Sequence, residues 1–307
     1  MKKLLGIVVL GLLLSGNVFA VEKFKFKYHI ADNLAKEWVT EFNKIMNIVQ
    51  EVMPINENTN SWVKRELNRM EPFNIYAWNR SKNPFKKFTK GKGSGVRSDS
   101  RGRWMQLDIK FSESNRSYSV IVHEYFHVYQ IALSEDKFYD RDSPKWLGEG
   151  GAKILQEIYS RQYYGIDMLK KDIQKRERWS IKKVSKEPHL YEKYGSSNKK
   201  GLDGNYTGSA FMLLALVNEL KKNNISEEEA FELVFREIWV QRSKQPYGSR
   251  GWKDAFENGK GELDFTNGEK SFGMNVEDFY QRLSKYKRKD LKNILPSKTL
   301  RIQDIFS

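Results

Sequence analysis

The feature that most constrains this chain is a change of hydrophobic period partway along it. From Phe24 to Ile30 apolar Phe24, Phe26, Tyr28 and Ile30 alternate with Lys25, Lys27 and His29, the pattern of a strand with one buried face. Arg103 to Phe111 alternates again, with Met105, Leu107, Ile109 and Phe111 on one side. Between them, Leu34, Trp38, Phe42, Ile45, Val49 and Val52 recur at helical spacing and predict a helix ending near Pro54, followed by a short strand over 73–78. From Arg116 onward the spacing is helical, predicting helices over 116–134, 145–163, 205–223, 227–243 and 276–287. Ser226 and Glu229 form a capping box at the start of the fourth. Residues 82–102 read as an exposed loop, and 185–204 and 245–274 as polar connections. The expectation is an α+β chain: a mixed α/β N-terminal subdomain with an edge strand over 21–134, then a mainly helical subdomain over 135–307.

Composition removes whole classes of chemistry. With 39% hydrophobic and 13% aromatic residues among 307, the chain is too apolar to be disordered and long enough to bury a sizeable core. It has no cysteine, which excludes disulfides, thiolate metal ligands and a cysteine nucleophile. Residues 1–20 read as a secretory signal: Lys2 and Lys3, the apolar run Leu4 to Leu14, then Val18-Phe19-Ala20 as a small-residue cleavage site. That run is too short to span a bilayer. Removing it takes away two lysines and lowers the net charge from +15 to +13. An exported protein, periplasmic or secreted, without a transmembrane anchor is expected.

The change-over falls on His123-Glu124-Tyr125-Phe126-His127. Histidines four apart share one helix face and can grip one metal, while Glu124 stands where a carboxylate can take a proton from metal-activated water. A catalytic zinc needs a third N or O ligand. Glu149, in Trp146-Leu147-Gly148-Glu149-Gly150-Gly151-Ala152, opens the next predicted helix, and the small residues after it allow close approach of two backbones. One zinc per chain, held by His123, His127 and Glu149, is the expected cofactor.

These two motifs resemble those of the gluzincin metallopeptidases, the peptidase MA-like group that includes thermolysin and aminopeptidase N-type enzymes. The W-L-x-E-G-x-A form is most similar to the aminopeptidase N-like and peptidase MA-like branches. The resemblance is specific over residues 119–152. It implies an exported zinc metallopeptidase that hydrolyses peptide or protein substrates, with Glu124 as general base and the zinc site on the helix between the subdomains. It also implies an edge strand holding extended substrate, a role falling to 103–111 and so to Leu107, with Gly93 and Gly95 in a backbone-lined substrate loop. Tyr206, in Asn205-Tyr206-Thr207-Gly208, is the candidate for steadying the oxyanion, with His189 as its rival. Thermolysin places an Asp four residues after the ligand Glu; here that position is Lys153, so the partner that orients a ligand histidine is not identified.

A second reading comes from charge. Lys82, Lys86, Lys87, Lys90, Lys92, Arg97, Arg101 and Arg103 surround Phe85, Phe88 and Trp104. Such interleaving binds polyanions. Export points to anionic envelope polymers rather than nucleic acid, which is not expected as a partner. The alternative function is thus a non-catalytic envelope or polyanion-binding protein on a metallopeptidase scaffold.

Overall fold

The computed structural model describes residues 24–55, 72–100, 102–110, 115–135, 144–171, 184–192, 202–246, 248–257, 272 and 274–307. The leader read at residues 1–20, together with Arg101 and Phe111, lies outside them. Over the described residues the protein is α+β, mostly helical, with one four-stranded sheet in the order β1-β2-β4-β3. β1 (Phe26–Ile30) pairs parallel to β2 (Phe73–Asn79), β2 parallel to β4 (Gly102–Ile109), and β3 (Gly95–Asp99) antiparallel to β4.

Alternation decides the two faces of this sheet. Phe73, Ile75 and Ala77 of β2 and Met105, Leu107 and Ile109 of β4 point into the main core, whereas Tyr76, Trp78 and Trp104 form a separate small cluster on the other face. Helix α1 (Lys36–Val52) buries Trp38, Phe42, Ile45, Met46 and Val49 in the main core. Each large side chain buried there contributes roughly 1.5–3 kcal/mol. The helix ends at Met53, immediately before Pro54, whose ring cannot continue it.

The expected edge strand needs correction. Residues 103–111 do not lie at the edge: β4 sits between β2 and β3, and Leu107 is fully buried in the core. The edge beside the helices is β3, inside the stretch read as a loop. Its five residues contribute a single core side chain, Val96, which pairs with Met105.

Helix α2 (Val120–Leu133) follows a 3-10 turn over Asn115–Ser119, and thirteen of its 14 residues are buried. A helix covered on every side must be apolar on every side, which explains its run of Val, Ile, Tyr, Phe and Ala and isolates its few polar groups. Tyr125 Oη donates to the Met53 carbonyl at 2.8 Å, tying α2 to the end of α1. Helix α3 (Lys145–Tyr164) ends at Gly165, whose φ of 65° closes the last turn through Gly165 N to Arg161 O and Ile166 N to Ser160 O.

Helix α4 (Leu202–Lys221) runs against α3 with a fully buried stretch from Ala210 to Leu216. The predicted capping box is present: Glu229 N donates to Ser226 Oγ at 3.1 Å and Ser226 N to Glu229 Oε2 at 2.9 Å. The helix it opens is not continuous. α5 (Glu227–Glu232) widens into a π-turn over Leu233–Glu237 before α6 (Ile238–Lys244), which lets Phe235 stack edge-on against Phe126 of α2. Part of the stretch read as a connection is also helical: α7 (Ser249–Glu257) buries Trp252, Ala255 and Phe256, and α8 (Val276–Leu283) follows. Two short helices, α9 (Leu291–Ile294) and α10 (Ile302–Ile305), bring late residues back onto the core. Arg161 donates to the Leu300 carbonyl at 2.9 Å, Ile302 N donates to Gln162 Oε1 at 3.0 Å, and the Phe306 ring lies edge-on to Tyr129 of α2. A single buried cluster therefore runs from Phe24 to Ile305.

Candidate metal centre

Two helices supply the site. On α2, His123 and His127 lie one turn apart, both buried, with their Nε2 atoms 3.2 Å from each other. On α3, Glu149 reaches across so that its Oε2 stands 3.3 Å from His123 Nε2 and 3.4 Å from His127 Nε2.

The approach of the second helix depends on its two glycines. A β-carbon on Gly150 would meet the backbone oxygen of Ser209 in α4 at 2.5 Å, and one on Gly151 would meet Phe126 Cε1 of α2 at 2.9 Å. α3 is thus wedged between the metal-motif helix and α4 with no room for side chains at these positions. Its first turn is anchored independently. Trp146 is fully buried, its Nε1 donates to Tyr280 Oη at 3.2 Å, and Tyr280 Oη donates to Glu192 Oε1 at 2.9 Å. Lys145 N donates to the Glu192 carbonyl at 3.0 Å. The tryptophan of the motif therefore fixes where α3 begins, and the glycines fix how close it lies.

The three donor atoms fit a metal ion. With zinc–ligand bonds of about 2.0–2.1 Å, two ligands of a tetrahedral site sit about 3.3 Å apart, and all three separations here fall at 3.2–3.4 Å. Glu149 Oε2 is buried and takes part in no well-aligned hydrogen bond, although it faces both imidazoles. His127 Nδ1 lies 2.8 Å from Gln130 Oε1, an acceptor that fixes Nδ1 as the protonated nitrogen and turns Nε2 toward the site, where a metal would displace its proton. Gln130 is itself steadied by donating to the Gly148 carbonyl at 3.4 Å.

The electrostatics point the same way. Burial acts against a charge on His127, but the Glu149 carboxylate beside it outweighs burial and lifts the imidazole to about 9. Burial pushes the Glu149 carboxyl up, yet the charge on His127 and the two imidazoles 3.3 and 3.4 Å away overcome it and hold the carboxyl well below the usual range. The three side chains together demand a positive charge between them, which a proton supplies partially and a divalent cation fully. Glu124 is buried, and that burial raises its pKa despite the opposing influence of His123, His127 and Arg97. A carboxylate with raised proton affinity beside the ligands suits a general base.

Tyr206, near the start of α4, lies with its ring 6.0 Å from that of His123, and Lys145 Nζ stands 5.8 Å from the Tyr206 ring. His189 is exposed, 3.2 Å from Glu192 Oε1 and edge-on to Tyr280. Gly93 is occupied by the sheet: its N–H donates to Asp108 Oδ2 at 2.7 Å and its carbonyl accepts from Gln106 Nε2 at 2.8 Å. Gly95 is buried and begins β3. Lys153, at the position where an acid would orient a histidine, pairs instead with Glu157. That orienting role passes to Gln130 of α2. Sequence reasoning missed it, though the signal was there: a polar residue three after His127, on the same face of an otherwise apolar helix.

No family model, curated protein or solved structure matches this chain. The geometry by itself defines a class of site: two helices bringing two imidazoles and one carboxylate close enough to hold one metal ion, with a second carboxylate next to the first histidine.

Proposed function

We propose that this protein is an exported zinc metallopeptidase that cleaves peptide bonds, with His123 and His127 of α2, where its α/β and helical parts meet, and Glu149 of α3 as the zinc ligands. The observation that carries the reading is the triangle of donor atoms at 3.2–3.4 Å, buried, and drawn from two separate helices. What a bound zinc supplies is Lewis acidity toward the scissile carbonyl and a water acidified toward neutral pH. Glu124 takes the proton of the attacking water and hands it to the leaving amine; its raised proton affinity supports both halves of that task. Tyr206, on the His123 side of the site, donates its phenol hydrogen to the developing oxyanion. Strand β3, the sheet edge beside α2, takes an extended substrate as an added strand. This assigns to Gly95–Asp99 the role first expected of 103–111.

Export rests on the pattern of residues 1–20. No helix among the described residues is long and apolar enough to cross a membrane.

The test is metal content followed by turnover. Elemental analysis after zinc loading and dialysis should give about one zinc per chain. A broad peptide library should then be cut by the parent protein. Glu124→Gln should keep the zinc and lose cleavage, and Tyr206→Phe should keep the zinc and slow cleavage by about a hundredfold. Cleavage by Glu124→Gln at the parent rate refutes the assignment.

A further inference from the structure

The sheet face opposite the helices carries a second constellation that peptide hydrolysis does not use. Three rings lie nearly parallel across it. His29 of β1 stacks on Tyr76 of β2 with centroids 4.5 Å apart and planes 12° apart, and Phe88 stacks on the same Tyr76 at 5.9 Å and 4°. Phe88 is 52% exposed, more than any other large hydrophobic side chain among the described residues.

This exposure is built in. The loop carrying Phe88 is bolted to the sheet by the fully buried Gln106, whose amide donates to the carbonyls of Lys90 and Gly93 at 3.0 and 2.8 Å. Asp108 accepts from Gly93 N on the same side. Phe88 N donates to Phe85 O at 2.8 Å, and Phe85 in turn packs against Tyr76 and Trp78. The ring is held flat and outward by a fixed frame.

The charge around it has one sign. From Asn79 to Ser98 the chain contains seven Lys or Arg residues and no Asp or Glu. Two of the seven are paired with nearby acids, Lys90 with Asp99 at 3.5 Å and Arg80 with Asp108 at 3.2 Å, so the stretch keeps a net positive charge. Lys82, Lys86 and Lys92, on the same β2–β3 connection as Phe88, are exposed.

We propose that this face binds an acidic polysaccharide, laying the C–H face of a sugar ring on Phe88 and its anionic groups against the surrounding lysines. A flat aromatic ring matches a flat ligand face and buries apolar area against it. Charge complementarity selects a polyanion. A ring lying flat on Tyr76 presents its face rather than its tip, unlike a side chain inserted among lipid tails, and the choice of a polysaccharide over nucleic acid rests on the export proposed above. The inference stands independently of zinc and of peptide cleavage.

Binding of the purified protein to alginate, a polyuronate, should be measured by titration at 50 and 150 mM salt. Polyglutamate of equal charge, a single-stranded oligothymidine and anionic phosphatidylglycerol vesicles serve as comparisons. Alginate should bind most tightly, and its affinity should fall with salt. Phe88→Ala should weaken binding roughly tenfold, and Phe88→Trp should restore it. Lys82→Gln with Lys86→Gln should reduce the salt slope by about two. An unchanged melting temperature for Phe88→Ala shows that the loss is local. Equal binding of polyglutamate, tighter binding of oligothymidine or vesicles, or indifference to Phe88→Ala each overturns the proposal.

Discussion

Gly150 of α3 and Ser209 of α4 approach so closely that a single methyl group on the glycine would stand 2.5 Å from the serine carbonyl oxygen. Because that neighbour is backbone, it cannot rotate away. The position of Glu149, one residue earlier, is thereby set by a contact on the adjoining face of its own helix, about 100° away.

Gly150→Ala should therefore do two things at once. It should destabilise the fold by about 1–3 kcal/mol through overpacking, and it should weaken zinc binding by shifting Glu149. Gly151→Ala, which meets side chains alone, the Phe126 ring edge at 2.9 Å and Gln130 Nε2 at 3.6 Å, should cost less on both counts. Urea unfolding and competitive chelation measure the two effects. Parent-like stability in Gly150→Ala would mean that α3 and α4 are not locked here.

Gln130 offers a test of the metal assignment that touches no ligand. Its Oε1 holds His127 Nδ1 at 2.8 Å, so Gln130→Leu should loosen the imidazole and lower zinc affinity by roughly 10- to 100-fold. Gln130→Glu preserves an acceptor and should retain most of the affinity. If the leucine variant binds zinc like the parent in a chelator competition, His127 is not oriented by this bond.

Away from the site, Glu219 should govern part of the acid stability. Burial pushes its carboxyl up, but Lys222, the Tyr286 hydroxyl at 2.6 Å and Arg282 at 3.4 Å together hold it below its ordinary value of 4.5. A carboxyl lowered in the folded state stabilises the fold at pH values above the unfolded value. That contribution disappears as pH falls through the folded one. Urea midpoints should accordingly drop between about pH 5 and pH 3, and Glu219→Gln should flatten this dependence. The same steepness in the variant would sink the attribution.

The sequence made some parts of this molecule legible because their causes are local. Alternation over Phe24 to Ile30 needs only a strand's own geometry, and His123 and His127 share a face on any helix that contains them. Ser226 and Glu229 satisfy each other within one turn. The closeness of Glu149 was legible through the small residues beside it. Strand order was not, since nothing within Gly95–Asp99 announces that it pairs with β4 and displaces 103–111 from the edge. The π-turn at Leu233–Glu237 was hidden for a similar reason: it serves a ring contact with Phe126, more than a hundred residues earlier. Helix α7 escaped notice because its apolar side, Trp252, Ala255 and Phe256, is short and set among glycine and lysine.

The return of α10 and Phe306 to the core sets an order of events for the growing chain. Phe306 covers Tyr129 on the helix that carries both histidines, and Ile302 docks on α3. Without that stretch, the helix lacks the cover that Phe306 gives to Tyr129. A chain built in this way closes its core only once residues 302–306 are in place, so its folding depends on contacts far apart in sequence.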